Sequence, residues 1–371
     1  MTTASPRSAG LRSLVACRRT NSSLRLSIFS ALLAIAPIAS GEPLSDKPGA
    51  LPTSPELDRW FASAKEVEVG LRKGDPRFSL EMKKAHVYAK VLLNGETVGR
   101  FRSETSSTNV TGEYATFNIG RALGCGDLFQ PAVEIALRGR ALVTFRHLIE
   151  TANFPAHKQD EQLEVLAELD GNPEELRGVY KPMTPANAFK YNGVERVNEA
   201  PNGGLETSDV IAKFLKHDAP QPGREPLELA HIRGRAPATQ LARDLSNILL
   251  VDALAGQWDR FSGNNVHVRV EADRIHFIAI DNGGANLIND QGYLEKFTHW
   301  VTRFDRPVVA HLFALDAFLK KQGKFRGFAN ERALSVALGI EDADDWKAFK
   351  ERVHKVTAHV RSIKSGAYFE P

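Results

Sequence analysis

The chain has 371 residues, of which 42% are hydrophobic and 25% are charged, and its formal net charge is +3. This length and composition are typical of a globular protein with one large core or two smaller lobes. Much of the positive charge lies near the N-terminus, and no basic stripe runs through the rest, so a nucleic-acid-binding protein is not indicated. Neither a His pair nor a CxxC pair has the spacing of a zinc site.

The first 41 residues contain no Asp or Glu, and five arginines precede an uncharged run from Leu26 to Ser40. A basic segment, an apolar stretch and small residues after it predict a signal peptide over residues 1–41, with an organelle transit peptide as the alternative. The run is too short to span a bilayer, so we expect no transmembrane helix in the mature chain. We therefore expect an exported protein in the periplasm, the medium or the secretory pathway. Residues 42–57 are predicted to form a linker.

The next part of the chain predicts a small mixed lobe over residues 58–147. A short amphipathic helix is expected from Asp58 to Glu68. Two alternating runs on either side of Asn94-Gly95 predict a hairpin. Helical spacing from Gly112 to Leu123 stops at Gly124. The remaining segments, Pro131–Leu137 and Arg140–Phe145, are predicted to be strands.

Residues 148–371 are predicted to form a larger, mainly helical lobe. A buried helix is expected from Thr239 to Ala255, because its apolar residues share one face. A polar loop, Gln257–Asn264, follows it immediately. Two alternating runs then predict a hairpin that ends at Asp281.

The order of these segments matches the requirements of phosphoryl transfer. That reaction needs a carboxylate to orient the attacking hydroxyl and oxygen ligands for the Mg²⁺ ions on the phosphates. Asp259 and Asn264 are spaced as in the Asp-x-x-x-x-Asn of kinase catalytic loops. Because a hairpin folds back on itself, it can bring Asp281 to the same metal.

The segment Gly256–Asn264 resembles the Gly-Asn-x-Asp-Arg-His-x-x-Asn/Glu loop of atypical kinases. These include phosphatidylinositol kinases, HipA-type kinases and secretory-pathway kinases of the Golgi casein kinase and four-jointed type. Ile278–Gly284 is similar to their metal-binding Asp-Asn-Gly segment, and Gly112–Gly124 to their Glu-containing helix. The resemblance implies a two-lobed α+β protein-kinase-like fold, with ATP and Mg²⁺ or Mn²⁺ as cofactors.

The same resemblance implies a role for individual residues. Asp259 would be the catalytic base, Asp281 the principal metal ligand and Asn264 a second metal ligand. Glu113 would be the helix carboxylate that holds the phosphate-binding cation. The implied reaction is transfer of the ATP γ-phosphoryl group to a hydroxyl acceptor outside the cytoplasm. Protein, sugar and lipid acceptors all remain open.

The phosphate-binding lysine of these kinases has no plain counterpart in the sequence. The strand before the Glu-containing helix carries Arg102 where the family has a lysine, and arginine is not a simple replacement for that point charge. We therefore predict that Arg102 binds phosphate, with Lys90 on the preceding strand as the alternative. Lys181 in Val-Tyr-Lys-Pro fits the local pattern, but it follows Glu113 in the chain and is set aside for that reason.

Two other functions remain open at this point. The first alternative is a pseudokinase, or a nucleotidyltransferase that binds ATP in the reversed orientation, on the same fold; the Arg102 substitution favours this alternative. The second alternative is an exported binding module that binds no nucleotide.

Overall fold

The computed structural model describes residues 48–83, 86–184, 188–190, 211–223, 226–228, 235–260, 265–271, 274–363 and 366–370. The predicted signal peptide and residues 42–47 of the predicted linker lie outside these ranges. Among the described helices, none is both long and apolar enough to cross a membrane.

A five-stranded antiparallel sheet forms the smaller part of the molecule. Its strands are β1 (Phe78–Met82), β2 (Ala89–Leu93), β3 (Glu96–Ser103), β4 (Val133–Arg138) and β5 (Glu175–Lys181), in the order β1-β2-β3-β5-β4. The predicted hairpin is confirmed: Asn94 and Gly95, with φ of 52° and 85°, make the two-residue turn between β2 and β3. Strand β5 belongs to this sheet although it lies beyond the predicted lobe boundary at residue 147.

Three helices, α1 (Pro55–Lys73), α3 (Gly139–Thr151) and α4 (Gln159–Gly171), pack on this sheet. Aromatic contacts join α1 and α3 to the sheet, with Trp60 stacked on Tyr180 at 6.2 Å and Phe145 edge-on to Phe101 at 5.4 Å. The prediction of a strand at Arg140–Phe145 is wrong, because these residues belong to α3. The buried residues of α3 have the spacing of one helical face: Ala141, Leu142, Phe145 and Ile149. Over only six residues, this helical period is not distinguishable from the alternation of a strand.

Helix α2 (Val110–Leu123) begins two residues before the predicted start at Gly112. It joins the sheet to the larger part of the molecule. The Oδ1 atom of Asn109 caps it by accepting the Gly112 N–H at 2.7 Å, and Gly124, with φ of 83°, ends it. One side of α2 packs near β4 and β5, and the other packs on α5 (Ala238–Ala255), the long helix predicted from Thr239.

The larger part of the molecule is built around α5, whose residues from Leu241 to Ala255 are almost all buried. Beside it lies a three-stranded sheet of β6 (Ala188–Lys190), β9 (Val266–Glu271) and β10 (Arg274–Ala279), in which β9 and β10 are the predicted hairpin. The remaining elements are a two-stranded ladder and four helices: β7 (Pro226–Glu228), β8 (Arg235–Pro237), α6 (Tyr293–Trp300), α7 (Arg306–Leu319), α8 (Glu331–Leu338) and α9 (Ala343–Ser362).

Candidate active site

Asp281 lies two residues beyond the end of β10 and has an unusual backbone conformation. Its φ is +54°, in the left-handed region that few residues other than glycine adopt. Such backbone strain persists only where the surroundings hold it, and it is concentrated at functional sites. Two contacts hold this loop: the Gln257 amide donates to the Asp281 carbonyl at 3.2 Å, and the Asn282 N–H donates to Glu113 Oε2 at 2.9 Å.

Asp259 lies against the same loop. A Cβ atom at Gly284 would be only 2.5 Å from the Asp259 Cβ, so glycine is required for this close approach. The Asp259 N–H donates to Gln257 Oε1 at 3.3 Å, and Gln257 thus bonds to both acidic segments. The Asn265 amide donates to Asp259 Oδ2 at 3.3 Å and to its carbonyl at 2.9 Å. The structure therefore brings the predicted pair, Asp259 and Asp281, together.

The protonation of Asp259 differs from that of an ordinary aspartate. Burial raises its pKa to about 6, and the negative charge of Asp281 adds to the rise, while Arg260 and the Asn265 hydrogen bond oppose it. A general base is most effective when its pKa lies near the working pH. Asp259 is therefore suited to accept a proton near neutrality.

Glu113 is fully buried on α2 and forms an ion pair with the equally buried Lys181 at the end of β5. The Lys181 ammonium also lies 3.5 Å from Asp281 Oδ1. Burial lowers the pKa of Lys181, and the Glu113 carboxylate opposes this shift. The sequence analysis set Lys181 aside because it follows Glu113 in the chain. That prediction of its position is wrong, because Lys181 lies beside both Glu113 and Asp281. Strand β5 lies beside β3 in the sheet, so a residue far along the chain reaches the same point in space.

Arg102 reaches the site from β3, where its Nη1 atom donates to Asp281 Oδ1 at 3.2 Å. Asp281 therefore has two cations on one carboxylate oxygen. Burial alone raises the pKa of Asp281, but the positive charges of Lys181, Arg102 and Arg100 outweigh it and hold the pKa below its usual range. The carboxylate is consequently ionised at neutral pH.

The other two predicted site residues have different outcomes. Lys90 lies on β2, and its ammonium pairs with Glu81 on the edge strand at 3.3 Å, so the structure does not bring it to Asp281 as it does Lys181 and Arg102. Asn264 lies outside the described residues. Its neighbour Asn265, which the sequence did not single out, makes the contact with Asp259.

The buried side chain of Arg260 connects the segment of Asp259 to that of Asp281. The sequence analysis did not predict this role. The Arg260 side chain is fully buried and forms a two-point ion pair with Asp252 of α5, with both distances at 2.8 Å. The remaining N–H groups donate to the carbonyls of Asn265 and Ile280 and to Asn282 Oδ1. All five guanidinium N–H groups are thus used. The signal in the sequence was Asp252, a carboxylate among the apolar residues near the end of α5.

The residues around Asp281 suit a hard divalent cation. Mg²⁺ and Mn²⁺ prefer oxygen ligands, and Mg²⁺ is usually held by one or two carboxylates together with phosphate oxygens. Among the described residues no group of three His, Cys, Asp or Glu side chains could hold a metal on its own. An ionised Asp281 beside Asp259 fits an ion whose other ligands come from a nucleotide.

Neither a family model nor a curated protein matches the sequence. Solved structures do match. A crystal structure of the Golgi casein kinase with Mn and ADP bound aligns with a TM-score of 0.52 and 14% identity, over 84% of this chain and 80% of that one. A second Golgi casein kinase structure gives a TM-score of 0.51 at the same identity and coverage. This chain has a kinase-like fold, as the resemblance of its motifs predicted.

A third match is weaker. A structure of hydra Fam20 with sugar aligns with a TM-score of 0.44 and 13% identity, over 76% of this chain and 83% of that one.

Proposed function

We propose that this protein is a metal-dependent phosphotransferase that moves the ATP γ-phosphoryl group to a hydroxyl acceptor. The observation that carries the proposal is the convergence of Asp259, Asp281, Glu113 and Lys181 from four separate segments of the chain. A buried Lys–Glu pair gives little net stability to a fold. Its position beside the two acidic loops is therefore better explained by function than by stability.

The residues divide the reaction as follows. Asp259 accepts the proton of the acceptor hydroxyl while that oxygen attacks the γ-phosphorus. The bond from the γ-phosphorus to the bridging oxygen breaks, and ADP leaves. Lys181 and Arg102 neutralise charge on the phosphate oxygens, and Glu113 keeps Lys181 in place. Asp281 would hold Mg²⁺ or Mn²⁺, which supplies further neutralisation of phosphate charge.

We also propose that the chain is exported, on the strength of the signal peptide predicted over residues 1–41. The acceptor would be a protein, sugar or lipid hydroxyl that the enzyme meets outside the cytoplasm. The Golgi casein kinase structure with Mn and ADP bound supports the choice of nucleotide and metal.

Titration calorimetry of the purified protein with ATP tests this proposal. We expect binding with Mn²⁺ or Mg²⁺ present, no binding with EDTA, and loss of metal-dependent binding in Asp281→Asn. Absence of any metal-dependent nucleotide binding by the unsubstituted protein would overturn the proposal.

A second reaction, nucleotidyl transfer, is favoured by one observation. Two cations, Arg102 and Lys181, contact Asp281 where kinases use one lysine, and the second cation gives an ATP bound in the reversed orientation a charge partner. Mass spectrometry of the modified acceptor or of the self-modified enzyme separates the two reactions, because a phosphoryl adduct and an AMP adduct differ in mass.

A further inference from the structure

The sheet face that looks toward Asp281 is cationic over more than the two residues already described. Arg100 on β3 lies directly opposite Lys181 on β5. Side chains two residues apart on a strand share a face, so Arg100 and Arg102 point the same way. Since Arg102 and Lys181 both contact Asp281, Arg100 lies on the same face of the sheet, the face toward Asp281.

Tyr88 organises further charge at this end of the sheet. It is buried where the chain enters β2, and three groups surround its ring. The Lys83 ammonium lies 5.4 Å from the ring centroid, the Arg100 guanidinium lies 5.8 Å from it, and the His86 ring stacks on it at 5.6 Å. A cation over an aromatic face is attracted to it, so Tyr88 holds Lys83 and Arg100 in place.

These two cations lack the partners that such groups usually have. Neither Lys83 nor Arg100 forms an ion pair with a carboxylate in the part of the chain that the structure describes. Arg100 donates from Nη2 to Gln130 Oε1 at 3.2 Å, but its buried Nε has no hydrogen-bond partner among the described residues. Leaving a buried donor of a charged group unsatisfied is costly, which points to a ligand that completes it.

The electrostatics of His86 agree with this geometry. Burial lowers the pKa of His86, and the positive charges of Lys83, Arg102 and Lys158 lower it further, against the opposing charge of Asp281. The positive charges of Lys83, Arg102 and Lys158 therefore all act at His86, although Arg102 is paired with Asp281 and Lys158 with Glu161.

We propose that Lys83 and Arg100, held by Tyr88, form a second phosphate-binding subsite beside the Asp281 centre. The ligand is a phosphate dianion, because a planar guanidinium and an ammonium beside the same aromatic ring supply the donors that bind phosphate oxygens. It belongs either to the nucleotide or to a phosphorylated acceptor. This inference rests on the proposed function only for the identity of the neighbouring Asp281 centre.

Titration calorimetry of the variants Lys83→Met and Arg100→Met tests the subsite. Three probes are used: pyrophosphate, ATP with Mn²⁺, and inorganic phosphate added to the ATP-saturated protein. We expect each substitution to weaken pyrophosphate binding about tenfold, which corresponds to about 1.4 kcal/mol. Arg100→Lys, which keeps the charge and guards against misfolding, should lose less. Arg177→Met is the matched control, since Arg177 lies on the exposed end of β5 and already pairs with Glu134 and Glu175.

The separate measurements identify the source of the phosphate. If it belongs to the nucleotide, the substitutions weaken ATP binding as well. If it belongs to the acceptor, ATP binding is unchanged and the ATP-saturated protein binds inorganic phosphate only when Lys83 and Arg100 are present. Equal binding of all probes by Lys83→Met, Arg100→Met and the unsubstituted protein would overturn the subsite. Failure of the unsubstituted protein to bind ATP, with pyrophosphate binding still dependent on Arg100, would instead overturn the proposed function alone.

Discussion

Lys181 and Glu113 form a buried ion pair although the lysine follows the glutamate by 68 residues in the chain. The pair joins the end of β5 to the first turn of α2, next to Asp281. The lysine thus enters the site from the strand beside β3, while β3 itself contributes Arg102. Two adjacent strands thus each contribute a cation that contacts Asp281.

Lys181→Met should destabilise the protein by about 3–5 kcal/mol, because it leaves the Glu113 carboxylate buried without its partner. The double substitution Lys181→Met with Glu113→Met should recover most of this loss, since it removes both charges. Urea unfolding followed by circular dichroism measures both effects. If the double variant is as unstable as the single one, the pair is not the reason for the loss.

Arg102→Met should weaken Mn²⁺-dependent ATP binding about tenfold, the effect of losing one charge-assisted hydrogen bond to phosphate. Arg102→Lys should retain part of the affinity, because the charge remains but the two-point geometry does not. Calorimetry at fixed ionic strength measures the change, and Arg177→Met serves as the control. An unchanged affinity in Arg102→Met would show that Arg102 does not bind the phosphates of ATP.

Asp259→Asn should raise the melting temperature at pH 7.5 while abolishing phosphoryl transfer. Folding raises the pKa of Asp259 to about 6, well above the ordinary value of an aspartate, so the ionised side chain destabilises the fold above pH 6. As the pH falls through 6 the folded state takes up the proton before the unfolded state does, and the cost disappears. The advantage of the variant should therefore be largest above pH 6 and shrink toward pH 4.

Differential scanning fluorimetry across this pH range, without added metal, checks the Asp259 prediction. Asp342→Asn is a useful contrast, because backbone hydrogen bonds lower the pKa of this helix-capping aspartate and its ionised form stabilises the fold. A variant at Asp259 that lowers the melting temperature at pH 7.5 would contradict the assigned direction of the shift.

Arg260→Met should cost about 3–5 kcal/mol of folding stability, since it leaves Asp252 buried and unpaired. It should also separate the two acidic segments, because Arg260 donates to Asn265, Ile280 and Asn282 at once. Unfolding experiments measure the first effect. Loss of metal-dependent ATP binding in the fraction that remains folded measures the second, and retained binding would limit Arg260 to a role in stability.

Removal of the metal should abolish the stabilisation that the nucleotide provides. A ligand that binds only the folded state raises its stability by an amount set by its concentration relative to its dissociation constant. ATP with Mn²⁺ should therefore raise the melting temperature, whereas ATP with EDTA should not. In Asp281→Asn both conditions should give the same melting temperature, and a persistent Mn²⁺ effect would place the metal elsewhere.

Short-range patterns in the sequence were sufficient for much of the fold. Asn94-Gly95 predicted the β2–β3 turn, because those residues adopt positive φ at little cost. The apolar face of α5 and the alternating runs after it predicted the helix and the hairpin on either side of Asp259. The strand prediction at Arg140–Phe145 failed because six residues are too few to separate a helical period from an alternating one, and helix α1 begins at Pro55, inside the linker predicted to residue 57.

From the sequence alone, the resemblance of local motifs to those of atypical kinases predicted kinase-like roles for Asp259, Asp281 and Glu113, because each residue lies within a short motif that is readable without the rest of the fold. Only the tertiary structure decided which cation meets Glu113. Sheet order differs from chain order, and strand β5 lies beside β3 even though α2, β4, α3 and α4 intervene. The same holds for Arg260, whose partners come from α5 and from both acidic loops, and for Tyr88, whose ring lies beside Lys83, just after β1, and beside Arg100 on β3. Contacts of this kind arise from pairing between distant segments, which no local pattern encodes.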